Sequence, residues 1–234
     1  MSDISHTLAT ALELARAGDA KLYGIIALSL RVSLSAVLLA TVLGMPLGAA
    51  VAIGRFPGRQ MLIVVMNACM GLPPVAVGLG VYLILSRAGP LGPLGLLFTP
   101  AAMIMAQAIL VTPIIAALTR QVVEDAWLEY AEQLRSHGAR WWNSVVTLLW
   151  DTRFSLVTVA LAGFGRAIAE VGAVLIVGGN IDGVTRVMTT TIALETTKGD
   201  LPLALALGVI LIALVVMLNA LAHTVKQLAV HRYG

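Results

Sequence analysis

The stretch EQLRSHGARWWNSVVTLLW, Glu132 to Trp150, crowds charge, a histidine and two adjacent tryptophans into the middle of an otherwise apolar chain. Of the 234 residues, 59% are hydrophobic and 12% are charged, about half the charged share of a soluble domain. The charges are also bunched. No Asp, Glu, Lys or Arg occurs between Arg59 and Arg87, between Arg87 and Arg120, or between Asp200 and Lys226. A charge at the centre of a bilayer costs about 3 kcal/mol or more, so hydrocarbon explains these gaps. The chain is expected to be an all-α, polytopic membrane protein, because a transmembrane barrel would show short alternating strands instead. The polar stretch is then a segment outside the membrane, held between spans.

Working outward, five spans are predicted. The first covers about Tyr23 to Ile53, with Arg31 near its outer end, where it can snorkel. The turn RFPGR, Arg55 to Arg59, separates it from a second span over about Gln60 to Leu85. That length is roughly 39 Å at ~1.5 Å per residue, longer than a ~30 Å core, so a bend is expected at Pro73-Pro74. A Gly/Pro loop, SRAGPLGPLG, precedes a third span over about Thr99 to Leu118. The fourth covers about Phe154 to Val177 and carries Arg166 and Glu170. The fifth covers about Leu201 to Val225. The whole chain, 1–234, reads as one transmembrane domain, with an N-terminal amphipathic segment (1–20) and a cytoplasmic loop (121–152). Residues 2–17 place Ile4, Leu8, Leu12 and Ala15 on one face of a short helix that lies on the membrane surface. No basic segment leads directly into an apolar run there, so no cleaved signal is expected.

Loop charges set the orientation. With the N-terminus outside, the inner segments hold Arg55, Arg59, Arg120, Arg135, Arg140, Arg153, Lys226 and Arg232, eight in all. The outer segments hold five: Arg16, Lys21, Arg87, Arg186 and Lys198. The bias favours N-terminus out and C-terminus in.

Several chemistries are excluded or weakened. The single Cys69 makes no intrachain disulfide and reads as a buried, inert thiol. His6, His137, His223 and His231 are scattered, so no metal site is expected. No basic run interleaves with aromatics, and no nucleic-acid partner is expected. An intramembrane hydrolase needs a Ser–His or Asp pair within spans. Only His223 lies near a span, at a helix end, and no Asp lies inside one. There is no G-x-x-x-x-G-K-[ST] phosphate loop, so ATP is not bound in that manner.

The polar stretch itself reads helix, break, helix. Glu124, Asp125, Glu129, Glu132 and Arg135 decorate a first helix whose apolar side is Trp127, Tyr130, Ala131 and Leu134. Gly138 permits a sharp turn, and Trp141-Trp142 begin a second amphipathic stretch. A plain surface helix pair would have this pattern too. The spacing, however, resembles the cytoplasmic loop of ABC importer membrane subunits: Glu-Ala-Ala, three residues, Gly, nine residues, Ile-x-Leu-Pro. Glu132 and Gly138 stand at that spacing. Gln133-Leu134 replace the alanines, Leu148 and Trp150 hold the Ile and Leu positions, and Asp151 replaces Pro. Gly138-Ala139-Arg140-Trp141-Trp142 resembles the Gly-Ala-x-x-Trp form of the loop.

Other marks narrow the likeness. GLPPVAVGLG, Gly71 to Gly80, resembles the Pro-Pro-Val-x-Val-Gly-Leu segment of oxyanion-type permeases. Ala169 to Ala173 resembles their Glu-Phe-Gly-Ala element. Glu170 to Ala173, Gly178 to Ile181, Thr185 to Thr190, Gly89 to Gly92 and Leu97 to Pro100 together look like the tungstate branch, over essentially residues 22–225. The resemblance implies the five-helix type I importer fold in the cytoplasmic membrane and a homodimer of this subunit. It implies ATPase subunits that bind ATP and Mg in place of this chain, and an extracytoplasmic binding protein. It makes Glu132, Gln133, Leu134, Arg135, Gly138, Ala139 and Trp142 the ATPase-coupling residues of a permease that is not itself an enzyme. Molybdate and sulfate are the alternative substrates. An ion channel is the reading from another class, and it would not need such a loop.

Candidate pathway or gate residues are Pro73, Pro74, Arg166, Glu170, Asn180, Thr185, Arg186, Thr189 and Thr190. Pro73-Pro74 either shapes the pathway or is a passive kink. Arg166 and Glu170, one helical turn apart, either neutralise each other or face a pathway or interface. In Asn180–Thr191, Gly and Asn backbone N–H groups, Thr hydroxyls and Arg186 suit an oxyanion. A capped outer loop is the plainer reading. Gly44 and Gly48 form a G-x-x-x-G that reads as close helix packing.

Overall fold

A computed structural model describes residues 20–233, with side chains beyond Leu221 only at Thr224 and Gln227. The expected helix over 2–17, His6, and the side chains of His223 and His231 lie outside what is described. The elements, in order, are α1 (Ala20–Ile53), α2 (Arg59–Met70), α3 (Pro74–Leu85), a 3-10 turn (Gly92–Leu94), α4 (Pro100–Ser136), α5 (Trp141–Asp151), α6 (Arg153–Ile168), α7 (Gly172–Gly178), α8 (Met188–Lys198) and α9 (Leu201–Tyr233). No strand occurs among the described residues. Three helices are long and apolar enough to cross a membrane, and five spans result if the pairs α2/α3 and α5/α6 each count as one.

Three of these elements depart from expectation. The third span does not stop at Leu118. α4 runs unbroken for 37 residues to Ser136, about 55 Å at ~1.5 Å per residue. The charge-free part, Pro100–Thr119, accounts for about 30 Å, and the charged remainder continues the same helix. The fourth span is not continuous to Val177, because α6 ends at Ile168 and α7 restarts at Gly172. The Thr-rich segment contains a helix, α8, that its Gly- and Thr-rich sequence does not announce. Cys69 is half-buried rather than buried. The second span breaks where Pro-Pro predicts. Pro73 is extended, and Pro74 occupies the first turn of α3, where its missing N–H costs nothing.

The chain divides into two compact units. The first contains the chain up to Ser35, Pro73–Gln107 and Ile168–Ala220. Within it α3 packs on α7 so closely that a Cβ on Gly78 would lie 2.7 Å from Ala173 Cα, and one on Gly172 2.8 Å from Val75 Cγ2. Phe98 N–H donates to Val177 O (2.9 Å), and the Tyr82 and Phe98 rings meet edge-on at 6.3 Å. Ser29 Oγ, on α1, accepts from Met188 N–H at the start of α8 (2.8 Å).

The second unit contains Ala36–Leu72, Ala108–Ala167 and the chain from Leu221. Here α1 lies against α4 along Gly44 and Gly48, as the small-residue spacing predicts. A Cβ on Gly44 would lie 3.0 Å from the Thr112 carbonyl oxygen, and one on Gly48 would collide with the Ala116 carbonyl oxygen. Gly163 of α6 faces Ile115 and Val111 of α4 in the same way. α5 crosses α6 at 77°. Its inner face, Ser144, Val145 and Leu148, is buried. Val145 and Leu148 pack on Ala49, Ala52, Ile53 and Val123. Each such side chain contributes about 2 kcal/mol where water is the alternative.

Candidate functional site

The polar stretch forms a helical hairpin from the end of α4 and α5. Its turn is a Schellman C-cap. Ala139 N–H donates to Leu134 O (3.0 Å), Gly138 N–H to Arg135 O (2.9 Å), and Gly138 has φ +66°. That φ is open to glycine without penalty but costs an ordinary L-residue about 1–2 kcal/mol. Glu132, Gln133 and Arg135 are exposed, Leu134 and Ala139 half-buried. Leu134 is held by packing on the cluster beneath α5. The Arg135 guanidinium stacks 5.3 Å over the Trp127 ring. Outward from α5 stand Trp142 (56% exposed), Val146 and Trp150 (71% exposed), at i, i+4 and i+8 on one stripe. Arg153 stacks over Trp150 and Phe154 at 5.0 and 4.4 Å. A cavity of about 340 Å³ lies in the elbow, lined by Leu134, His137, Leu148 and Asp151 among others. All seven predicted coupling residues are thus brought together on one hairpin of the second unit.

The candidate pathway residues fall in the first unit, except Arg166, which sits in the last turn of α6 in the second. Glu170 lies in the break after α6. The Glu170 carboxylate is buried and accepts from Ala173 N–H through Oε1 (3.0 Å), capping the start of α7. Its carbonyl accepts from Thr189 Oγ1 (2.9 Å). The two family-like segments, Gly71–Gly80 and Ala169–Ala173, meet at the Gly78–Ala173 crossing.

The threonines do not offer their hydroxyls to a passing anion. Thr185 Oγ1 donates to Gly178 O (2.6 Å) and accepts from Ile181 N–H (2.9 Å). Thr190 and Thr191 bond the Val187 carbonyl at 3.1 and 2.7 Å. Thr185, Thr189, Thr190 and Thr191 are all buried. They build and brace the segment that leads into α8. Asn180 Oδ1 and Arg186 Nε are buried with no hydrogen-bond partner among the described residues. Arg186 Nη1 lies 3.1 Å from Asp182 Oδ1, and Lys21 Nζ 2.7 Å from Asp182 Oδ2. The Lys21 hydrogen bond, aided by Arg186, holds the Asp182 carboxyl below the usual carboxylate range.

No family model matches the chain. A probable anion ABC transporter permease protein of Haloferax volcanii is 41% identical over 218 residues, 91% of this chain and 94% of that protein. The chain belongs to the ABC anion permeases. The tungstate uptake system permease protein TupB of Peptoclostridium acidaminophilum is 38% identical over 227 residues, 97% of this chain and 100% of its own length. The TupB protein of Campylobacter jejuni is 38% identical over 173 residues, 74% of this chain and 72% of its own.

This permease is a multi-pass membrane protein, and its sequence concealed several working contacts. In sequence Arg59 is a turn residue and one of the inner-side charges. Its Nε donates to Val51 O (2.8 Å) and its Nη2 to Ala52 O (3.2 Å) and Glu124 Oε1 (2.7 Å). The contacts of Ser29, Lys21 and Asp182 are invisible in sequence because the partners lie 159 and 161 positions apart. The one local signal was a polar residue in an apolar helix, which is costly unless partnered. Among the described residues no cluster of His, Cys, Asp or Glu is arranged to hold a metal.

Proposed function

We propose that this permease is the membrane subunit of an ATP-driven importer that moves tungstate across the cytoplasmic membrane. The full-length likeness to the tungstate permease of Peptoclostridium acidaminophilum carries the reading. The exposed α4–α5 hairpin supports it physically. A chain without a phosphate loop needs an engine elsewhere, and a rigid helix end protruding from the membrane is a lever on which an ATPase can act. The permease is not an enzyme in this account. ATP and Mg sit on the ATPase partner, and this chain holds no cofactor of its own.

The hairpin residues Glu132, Gln133, Leu134, Arg135, Gly138, Ala139 and Trp142 meet the ATPase. A second copy of the chain completes the membrane part. The apolar faces of α3 (Val75, Leu79, Leu83) and α9 (Ile212, Val216, Met217) are exposed in one copy, and lipid or the second copy covers them. The N-terminus lies outside and the C-terminus inside. Pro73-Pro74, Glu170 and the Asn180–Thr190 segment, with Arg166, belong to the route or its gate, and Thr185, Thr189 and Thr190 act as its frame. An extracytoplasmic binding protein delivers the anion and sets most of the discrimination against molybdate and sulfate.

The test is reconstitution of the permease in liposomes with a phosphate-loop ATPase and an oxyanion-binding protein encoded beside it. Tungstate-loaded binding protein is expected to raise ATP hydrolysis several-fold over the unloaded protein. Equal hydrolysis with and without tungstate, molybdate or sulfate would overturn the reading.

A further inference from the structure

The first unit holds a cleft of about 460 Å³ between the N-terminal turns of α1 and the loop after α7. Among the described residues its charged lining is Lys21, Arg31 and Arg186 with the carboxylate of Asp182. Lys21 and Arg31 fall on one face of α1, together with Gly24 and Leu28. Arg186 is the least ordinary member. Its side chain is only 16% exposed, and its Nε meets no acceptor among the described residues. A buried guanidinium N–H without an acceptor is costly, and it marks a place where an acceptor from outside is welcome.

Asp182 shows what such an acceptor looks like. Each of its oxygens takes one cation, Oδ2 from Lys21 at 2.7 Å and Oδ1 from Arg186 at 3.1 Å. A tetrahedral dianion presents four oxygens, two for these same cations and two more for the Arg186 Nε and for Arg31. Among the described residues three cations face one carboxylate, a lining that favours an anion. The volume admits such an ion with part of its hydration.

We propose that this cleft is an anion-binding site of the permease itself, taking a tetrahedral dianionic oxyanion on Lys21, Arg31 and Arg186, with Asp182 as the internal carboxylate it competes against. The proposal rests on the oxyanion-import reading. It adds that the permease meets the anion directly at its outer end. Asp182 then keeps the site occupied while no anion is present, and entry of the anion releases the link from α1 to the loop after α7.

The sign of one variant separates this from a structural ion-pair cluster. Full-length permease in lipid nanodiscs, without binding protein, is titrated with labelled tungstate and, in parallel, molybdate and sulfate. Wild-type protein is expected to bind. Asp182→Asn is expected to bind about tenfold more tightly, because the competitor is gone and the cations remain. Arg186→Gln is expected to weaken binding about tenfold or more, and Lys21→Gln and Arg31→Gln several-fold each. No binding by wild type, or Asp182→Asn binding no better than wild type, overturns the site. Discs with and without anionic lipid supply a further arm. Equal binding in both assigns the site to the free anion, whereas loss of binding in anionic discs assigns it to a lipid headgroup and overturns the proposal. Uptake by the complete transporter keeps the two claims apart. Uptake without nanodisc binding overturns the site and leaves the import reading standing. Nanodisc binding without uptake of any of the three anions does the reverse.

Discussion

Arg59 Nη2 lies 2.7 Å from Glu124 Oε1, while the same side chain donates to the Val51 and Ala52 carbonyls at 2.8 and 3.2 Å. One guanidinium thus caps the C-terminal end of α1, where the helix dipole favours a cation, and ties it to the part of α4 that leads into the hairpin. Arg120 pairs with the other oxygen of Glu124. Arg59→Ala removes three bonds at a partly buried site and should cost about 2 kcal/mol. Arg59→Lys should recover only part, since an ammonium cannot fork between carbonyls and carboxylate. Thermal unfolding of the purified permease in detergent reads this, and a midpoint unchanged in Arg59→Ala would remove the cap from the account.

Helix contacts in the membrane give a second expectation. A Cβ on Gly48 would collide with the Ala116 carbonyl oxygen, whereas one on Gly80 meets nothing within 4 Å. Backbone cannot retreat as a side chain can. Gly48→Ala should therefore cost about 1–3 kcal/mol or more, and Gly80→Ala should be neutral or stabilise by up to about 1 kcal/mol. Comparing the unfolding midpoints of the two variants checks it. A similar fall in both would mean that the α1–α4 contact is looser than described.

The hairpin turn yields a functional prediction. Gly138 has φ +66°, and proline is locked near −65°, so Gly138→Pro cannot form the Schellman cap. The variant should insert normally yet lose ATPase stimulation by loaded binding protein. Replacing the exposed pair Glu132 and Arg135 by Ala should have the same effect without touching the turn. Full stimulation in both variants would detach this hairpin from the ATPase.

Topology is open to direct reading. A reporter active only outside the cytoplasm should work when fused before Ser2 or inserted near Gly92, and should be silent after Gly234. Activity at the C-terminus would contradict five spans with that end inside.

Composition and charge gaps made the class and the spans legible. Pro73-Pro74 marked one helix break and Gly138 the hairpin turn, because proline and glycine act through local backbone geometry. The break at Ala169–Val171 was hidden. No proline stands there, and the interruption is held by a buried Glu170 carboxylate capping Ala173 N–H and by Thr189 on the Glu170 carbonyl. Those partners come from across the break and from a later helix. The threonines misled for the same reason. Read in sequence they are free hydroxyls, and only the fold shows them bonded to the Val187, Gly178 and Glu170 carbonyls. The run of charge after Arg120 marks the end of the span in sequence, yet the helix expected over Glu124–Arg135 is the same α4 continued. Hydropathy reports where a helix leaves hydrocarbon and not where it ends.

The central claim is tested most directly by counting tungsten in cells. A strain without its own tungstate uptake would express this permease with its ATPase and binding protein, in wild-type form or as Gly138→Pro. Cell-associated tungsten would then be measured at nanomolar external tungstate. The account predicts accumulation many-fold above background with the wild-type chain and background levels with Gly138→Pro. Background levels of tungsten, and of molybdenum and sulfur label in parallel, with a wild-type chain shown to be in the membrane would contradict it.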